Sequence, residues 1–137
     1  MTVPGVTRSE PGTPGSELLV SLERAPEDLV VHQSACDSFY DSELATVLER
    51  NGVRRLFVTG CATDFCVDTT VRAAMSRDDR VVVVADGHTT ADRPHVDAVS
   101  LIRHHNWLWR DLIHPKVRVE VTEAEAVIAG ITQRPLP

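Results

Sequence analysis

The chain has 137 residues, of which 42% are hydrophobic, and a formal net charge of −6 at pH 7. This length predicts one domain with a real core, and the lack of a lysine or arginine cluster argues against a nucleic-acid partner. No stretch of about 18 apolar residues predicts a membrane span, and the N-terminus lacks the layout of a signal peptide. Three cysteines form no disulfide framework, so a reduced, cytoplasmic protein is expected.

The N-terminal segment, residues 1–16, is rich in proline, glycine, serine and threonine. Such a composition disfavours regular structure and predicts a flexible arm. Residues 17–137 are then expected to form a single domain.

Short apolar runs bounded by turn residues predict four strands. These strands cover residues 29–32, 55–59, 81–85 and 117–121. The third strand contains four consecutive valines, a run typical of a strand that is buried on both faces of a parallel sheet.

Helical periodicity and capping residues predict a helix after each strand. The first runs from Asp41 or Ser42 to the left-handed stop at Asn51 and Gly52, and the second starts near residue 64 with Val67, Val71, Ala74 and Met75 on one face. A long third helix is expected from Asp92 and Pro94 to about Leu112, with Val96, Val99 and Ile102 on its buried stripe, and a capping box of Thr122 and Glu125 opens a short fourth helix. Alternating strands and helices predict a three-layer α/β fold with a mostly parallel sheet.

In such folds, functional sites lie beyond the carboxyl ends of the strands. The loops at residues 32–33, 60–66 and 86–90 should therefore converge. Cys66 lies there, in the first turn of a helix, where unpaired N–H groups favour a thiolate and hold an oxyanion. The alternative is that Cys66 is a small apolar side chain packed between helix and sheet.

The segment TGCATDFCV, residues 59–67, resembles the T-G-x-x-T-x-x-C-V motif of the isochorismatase-like cysteine hydrolases, which include nicotinamidases and N-carbamoylsarcosine amidases. The similarity extends over roughly residues 15–121. It implies a Rossmann-like three-layer α/β/α domain that lacks the family's first strand and its aspartate, so that the domain is incomplete at its N-terminus. It also implies hydrolysis of a C–N bond in a small amide.

The resemblance assigns roles to individual residues. Cys66 would be the nucleophile, the N–H groups of Ala62 and Cys66 would form the oxyanion hole, and Gln33 would occupy the position of the family's lysine without its charge. A cis peptide is expected at Cys61–Ala62. Substrate-binding residues are expected to be Phe39, Cys61 and Asp64. No cofactor and no metal are expected, the substrate would be a small amide, and homo-oligomers without membrane contact are expected.

Two other interpretations of these residues stand beside an active amidase. Because the family's aspartate and lysine have no counterpart here, the chain is alternatively an inactive remnant, or a binding or assembly protein on the same scaffold. Cys66 and Arg72 also spell the C-x5-R signature of cysteine phosphatases, but the intervening Asp68 and β-branched residues do not suit a phosphate cradle.

The histidines fall at no metal-ligand spacing, so solvent-facing or capping roles are expected for them. These residues are five of the six histidines of the chain, namely His88, His95, His104, His105 and His114, and the sixth, His32, ends the first predicted strand. Trp107 and Trp109 predict either core packing or an oligomer contact at the end of the long helix. Cys36 is expected to be a loop thiol rather than part of the cleft.

Overall fold

The computed structural model describes residues 21–132. The chain divides into two compact units, residues 1–30 and 31–137. In the described part of the first unit, the Asp28 N–H donates to the Ala25 carbonyl (3.1 Å), and the Ala25 N–H donates to the Asp28 carboxylate (2.8 Å). The arm predicted at residues 1–16 lies outside the described residues, so it stays a prediction.

Strands and helices alternate along the second unit. Its elements are α1 (Leu44–Arg50), β1 (Arg55–Cys61), one π-helical turn (Thr63–Val67), α2 (Asp68–Ser76), β2 (Arg80–Thr89), α3 (Ala98–Arg110), β3 (Val119–Thr122) and α4 (Ala124–Thr132). Both strand pairings are parallel and the order is β1-β2-β3. The predicted α/β class with a mostly parallel sheet is confirmed.

The middle strand, β2, passes through the core. Val81, Val82, Val83 and Val84 are all buried, as the run of valines predicts, because β2 has a hydrogen-bonded strand on either side. Helix α2 buries Val71, Ala74 and Met75, which belong to its predicted apolar face. Trp109 of α3, fully buried, completes the same cluster.

The register between β1 and β2 is irregular near the end of both strands. Val58 lies opposite Val83, whereas Gly60 lies opposite His88, so residues 84–87 of β2 intervene against Thr59 alone. A Cβ at Gly87 would lie 2.9 Å from the Val84 Cβ, so this detour of β2 depends on glycine. The detour brings the last residues of β2 level with the end of β1.

The strand predicted at residues 29–32 is absent. These residues have no regular structure, and Leu29 and Val30 are exposed. A strand needs a hydrogen-bonded neighbour as well as β-branched residues, and the ladders of the described residues join only β1, β2 and β3. The prediction of four strands, which used residue preferences alone, therefore exceeds by one the three strands of the described residues.

The long helix begins later than predicted. Helix α3 starts at Ala98, and the carboxylate of Asp97 accepts from the Ser100 N–H (2.8 Å), which makes Asp97 the N-cap. Asp92 lies outside the helix, but its carboxylate accepts from the Ala98 N–H (2.8 Å). The predicted stripe was also wrong at Val99, which is 65% exposed, because the buried face of α3 carries His105 and Trp109 instead.

The cap of the last helix differs as well. The Ala124 N–H at the start of α4 donates to the Asp86 carboxylate (2.8 Å), so a residue of β2 supplies the cap that was expected from Thr122 and Glu125. Helix α1 ends as predicted, with Gly52 in the left-handed region (φ 64°).

Candidate active site

Cys66 lies in the π turn that joins β1 to α2. The peptide Cys61–Ala62 is cis, as the resemblance implies, and the turn follows directly. The N–H groups of Phe65 and Val67 both donate to the Ala62 carbonyl, at 3.0 and 3.2 Å. The turn therefore closes on Ala62 and presents Cys66 at the start of α2, where the sequence predicts it.

A cavity of about 180 Å³ opens beside the Cys66 side chain. Its lining consists of Gln33, Ser38, Val58, Thr59, Gly60, Cys61, Cys66, Val67 and Thr70. The loop that holds Gln33 thus meets the end of β1 and the first turn of α2. Gln33, Cys61 and Cys66, three of the residues singled out by sequence, share this cavity.

Three groups surround the Cys66 thiol. Burial and the neighbouring Cys36 thiol raise the pKa of Cys66, while hydrogen bonds from the Gln33 side chain and the Ala62 N–H act in the opposite direction. The Gln33 Oε1 accepts from the Ser38 hydroxyl, so the amide nitrogen of Gln33 is the group that faces the sulfur. None of the neighbours that act on this pKa is a cation.

A small set of hydroxyl contacts fixes the Gln33 loop to α2. The Thr70 hydroxyl lies 2.9 Å from that of Ser38, accepts from the Ser38 N–H (3.2 Å) and donates to the Cys36 carbonyl (3.3 Å). Thr70 is one helical turn after Cys66, so these bonds hold the loop over the nucleophile. Sequence reasoning missed Ser38 and Thr70, since lone hydroxyl residues carry no pattern.

Cys36 is an exposed thiol of the Gln33 loop and does not line the cavity, as expected of a loop thiol. It nevertheless acts on the nucleophile, because the Cys36 thiol raises the pKa of Cys66. The available signal was its spacing, because Cys36 follows Gln33 by three residues and both occupy one short loop.

Two of the expected substrate-binding residues do not line the cavity. Phe39 packs against the core, and the Arg77 guanidinium lies 4.9 Å from its ring centroid. The Asp64 carboxylate is engaged by Arg93, whose Nε lies 2.8 Å from Oδ2. Neither side chain faces the cavity, so their positions do not favour a direct contact with a substrate.

The first residue of the turn is held by a buried histidine. The Thr63 hydroxyl lies 2.9 Å from His88 Nδ1, and His88 Nε2 lies 3.0 Å from Asn106 Oδ1. Because the Asn106 amide nitrogen donates to the Ala85 carbonyl (2.9 Å), its oxygen must accept from His88. His88 Nε2 therefore carries a proton, and Nδ1 accepts from Thr63 when the ring is neutral.

This burial corrects part of the histidine expectation. His88 and His105 are buried, and both rings pack near Trp109, with centroids 5.1 and 5.4 Å away. His114 does have a capping role, because its Nδ1 accepts from the N–H groups of Lys116 and Val117. The two tryptophans differ as well: Trp109 is core, while Trp107 is 57% exposed.

The phosphatase alternative fails on geometry. Arg72 lies on α2 and its Nε donates to both oxygens of Asp68 at 2.9 Å, so it does not face an anion cradle. Within residues 21–132, no three histidine, cysteine, aspartate or glutamate side chains group as a metal site requires. No helix in that part of the chain is long and apolar enough to cross a bilayer.

Comparison with known proteins agrees with this geometry. A streptothricin hydrolase of Streptomyces noursei is 39% identical over 90 residues, which are 66% of this chain and 36% of that protein. The ureidoacrylate amidohydrolase RutB of Methylorubrum extorquens is 34% identical over 90 residues, with the same coverage of 66% and 36%. The crystal structure of a cysteine hydrolase from Pseudomonas syringae pv. phaseolicola 1448A superposes with a TM-score of 0.83 at 25% identity and covers 90% of this chain.

The chain spans only part of these relatives, namely 36% of the two curated hydrolases and 58% of the solved one. The isochorismatase domain model, however, matches residues 2–106, which is most of the chain. Together with the α/β fold and the cysteine turn after β1, this match shows that the chain belongs to the isochorismatase family.

Proposed function

We propose that this chain carries the nucleophile of a hydrolase that cleaves a C–N bond in a small amide. The observation that carries the proposal is the Cys66 side chain in the lining of a cavity that it shares with Gln33 and Cys61, in the turn directly after β1. The Gln33 side chain and the Ala62 N–H act to lower the pKa of Cys66, against the larger effect of burial. Such donors stabilise a thiolate, and a thiolate is the reactive form of cysteine. The two curated relatives are named as hydrolases, which agrees with this chemistry.

The reaction would take place in two steps. The Cys66 thiolate attacks the amide carbonyl carbon, forming a C–S bond, and the carbonyl oxygen becomes an oxyanion that the N–H groups of Ala62 and Cys66 would hold. Collapse of this intermediate breaks the C–N bond, and the leaving nitrogen takes a proton from a water molecule, which becomes hydroxide. The hydroxide then attacks the thioester carbonyl and breaks the C–S bond, which releases the acid and regenerates the Cys66 thiolate.

The volume of the cavity limits the size of the ligand that the described residues can enclose. At about 180 Å³, it is smaller than the roughly 300–1,000 Å³ of common ligand sites. It accommodates the reacting amide group, with Cys61 and Ser38 at its wall. We therefore expect small primary or carbamoyl amides to be the first substrates to test.

The pH dependence follows from the state of the thiol. Because burial and Cys36 raise the pKa of Cys66, its thiolate fraction is small at neutral pH and grows tenfold with each pH unit up to that pKa. Hydrolysis should therefore rise steadily between about pH 7 and pH 9, without the plateau near neutrality that a thiolate of lowered pKa would give.

The direct test is ammonia release from a panel of small amides, measured over this pH range. Cys66→Ala should abolish release while the melting temperature and the alkylation of Cys36 and Cys61 stay near those of the parent protein. Ammonia release that persists in Cys66→Ala would contradict the proposed nucleophile. Trapping of a mass adduct at Cys66 with a slow substrate would establish the acyl intermediate.

One observation favours a second candidate, a binding protein on the same scaffold. The neighbours that act on the Cys66 pKa are a thiol, an amide and a backbone N–H, so no cation within the described residues lowers it. A site of this kind would bind a small amide without cleaving it. Calorimetric binding of an amide that Cys66→Ala also binds, together with no ammonia at any pH, would support this candidate over the hydrolase.

A cytoplasmic location and a homo-oligomer remain parts of this proposal. Trp107 (57% exposed) and Val99 (65% exposed) lie eight residues apart on α3 and thus on one outer face, which is a composition suited to an interface. Light scattering of the parent protein and of Trp107→Ala would test the assembly, since a monomeric parent would exclude it.

A further inference from the structure

A closed triangle of hydrogen bonds holds the outer side of the cysteine turn. The Asp64 carboxylate accepts from Arg93 Nε at 2.8 Å, from Arg93 Nη2 at 2.9 Å and from the Thr90 hydroxyl at 2.6 Å. Arg93 Nη2 also donates to the Thr90 oxygen at 2.9 Å. Thr90 and Arg93 both follow the end of β2. The two side chains bind each other and Asp64, so they attach the segment after β2 to the turn.

The same arginine also contacts the next residue of the turn. Its guanidinium lies 4.9 Å from the ring centroid of Phe65, while its two nitrogens bind Asp64. The side chains of Arg93 and Asp64 are 26% and 15% exposed, so water screens the ion pair only partly. Arg93 lowers the pKa of Asp64 to about 2, so the carboxylate stays charged at every pH where the thiol reacts.

A second anchor acts on the inner side of the turn. Thr63 is fully buried and its hydroxyl binds His88 of β2 at 2.9 Å. Thr63, Asp64 and Phe65 are thus held in succession by side chains of β2 or of the segment after it. Cys66 is the next residue in the chain.

The turn has few means of holding this shape by itself. It is five residues of π-helix, a rare form that occurs mostly as single turns, and the N-cap residue Ala62 has no side-chain cap. Asp64 is acidic and in the first turn, where it could have capped the free N–H groups, but its oxygens are engaged by Thr90 and Arg93. The position of Cys66 therefore depends on contacts from outside the turn.

We propose that Thr90 and Arg93 are positioning residues, which act through Asp64 and Phe65 to hold Cys66 against the Ala62 N–H. This inference rests on the proposed function only in taking Cys66 as the reactive group. The Ala62 N–H acts to lower the pKa of Cys66. If the turn loosens, the sulfur moves away from that N–H, the pKa of Cys66 rises further and the thiol reacts more slowly.

The test is the rate of iodoacetamide alkylation at Cys66 as a function of pH, taken from initial rates by peptide mass, with Cys36 and Cys61 as references in the same sample. Arg93→Met should raise the apparent pKa of Cys66. Each unit of increase lowers the thiolate fraction tenfold but makes the thiolate more nucleophilic, so a net slowing of about threefold per unit is expected at fixed pH.

The chain offers a matched control. The guanidinium of Arg55 lies 5.0 Å from the Phe57 ring centroid and 3.4 Å from Glu120, so Arg55→Met removes the same kinds of contact at the opposite end of the sheet. Its alkylation profile should match that of the parent protein. Identical profiles for Arg93→Met and Arg55→Met would overturn the proposal.

Thr90 supplies a second, gentler test in case Arg93→Met fails to fold. Thr90→Val keeps the shape and removes the hydroxyl, whereas Thr90→Ser keeps the hydroxyl. Slower Cys66 alkylation in Thr90→Val, restored in Thr90→Ser at equal melting temperatures, supports the proposal, and equal rates in the two variants overturn it. Because alkylation requires no turnover, a parent protein that releases no ammonia would reject the amidase and leave this result intact.

Discussion

The two sides of Cys66 are built in different ways. On the side of β2, the turn is held by a buried histidine and by a charged pair with two short nitrogen-oxygen contacts. On the side of the Gln33 loop, the contacts are made by hydroxyl, thiol and amide groups, and Gln33 and Cys36 are exposed. The charged interactions thus fix the backbone of the turn, and only neutral groups act on the sulfur.

This contrast separates two requirements of a cysteine nucleophile. A preorganised turn places N–H groups where an oxyanion develops, and it needs rigid support. Activation of the thiol needs a nearby base or cation, which lowers the pKa of the cysteine. The described residues meet the first requirement and meet the second only through two neutral hydrogen bonds.

The largest expected effect comes from adding charge on the neutral side. Gln33→Lys should place an ammonium near the Cys66 sulfur and lower its pKa by about 1 to 3 units, a range typical of opposite charges within about 6 Å. The pH profile of Cys66 alkylation measures this shift directly. The gain should shrink in high salt, since Gln33 is exposed.

Gln33→Met is the matched control for that variant, because it has a similar length but neither charge nor hydrogen bond. It should raise the pKa of Cys66, since a donor to the thiolate is lost. A pKa that Gln33→Lys leaves unchanged would show that the loop does not hold residue 33 against the sulfur.

A medium effect, on the free energy of unfolding, is expected from deleting one hydroxyl on the β2 side of Cys66 and one on the side of the Gln33 loop. Thr63→Val leaves His88 Nδ1 buried without its donor and should reduce the free energy of unfolding by about 1–3 kcal/mol. Ser38→Ala removes bonds to Gln33 and Thr70 at a partly exposed position, so a loss below about 1 kcal/mol is expected.

Urea unfolding of the two variants provides this comparison. Equal losses of stability would mean that the β2 side is no more firmly built than the loop side, and the distinction between them would be withdrawn.

The smallest effect concerns the neighbouring thiol. Cys36→Ala removes the neighbouring thiol that raises the pKa of Cys66, so that pKa should fall. Burial is the larger cause and remains, so the thiol should gain less than about tenfold in thiolate fraction. Alkylation of Cys66 that becomes slower in Cys36→Ala would reverse the assigned role of Cys36.

Much of the fold could be predicted because its signals are local. The four valines of β2, the apolar face of α2 and the stop at Gly52 each result from side-chain burial or backbone freedom over a few residues. The start of α3 could not, because Asp92 and Asp97 are equally good caps by sequence, and only the path of the chain after β2 selects Asp97.

The site divides in the same way. Its position at the end of β1 follows from the motif, and Cys61, Cys66 and Gln33 do share one cavity. The partners of Asp64 are Thr90 and Arg93, which lie 26 and 29 residues further along the chain. Their contacts depend on where β2 ends, and no sequence spacing predicts that. Phe39 was expected to bind substrate from the family resemblance, whereas in the structure its ring packs against the core with the Arg77 guanidinium 4.9 Å from the ring centroid.

By itself, the sequence determined the family, the alternation of strands and helices, and the residue most suited to be a nucleophile, because these features reside in contiguous residues with fixed chemical preferences. Tertiary structure alone decided which groups surround Cys66. The irregular register between β1 and β2 brings His88 level with Gly60, and the segment after β2 then reaches Asp64. Long-range hydrogen bonds of this kind depend on the path of the backbone, which no local pattern encodes.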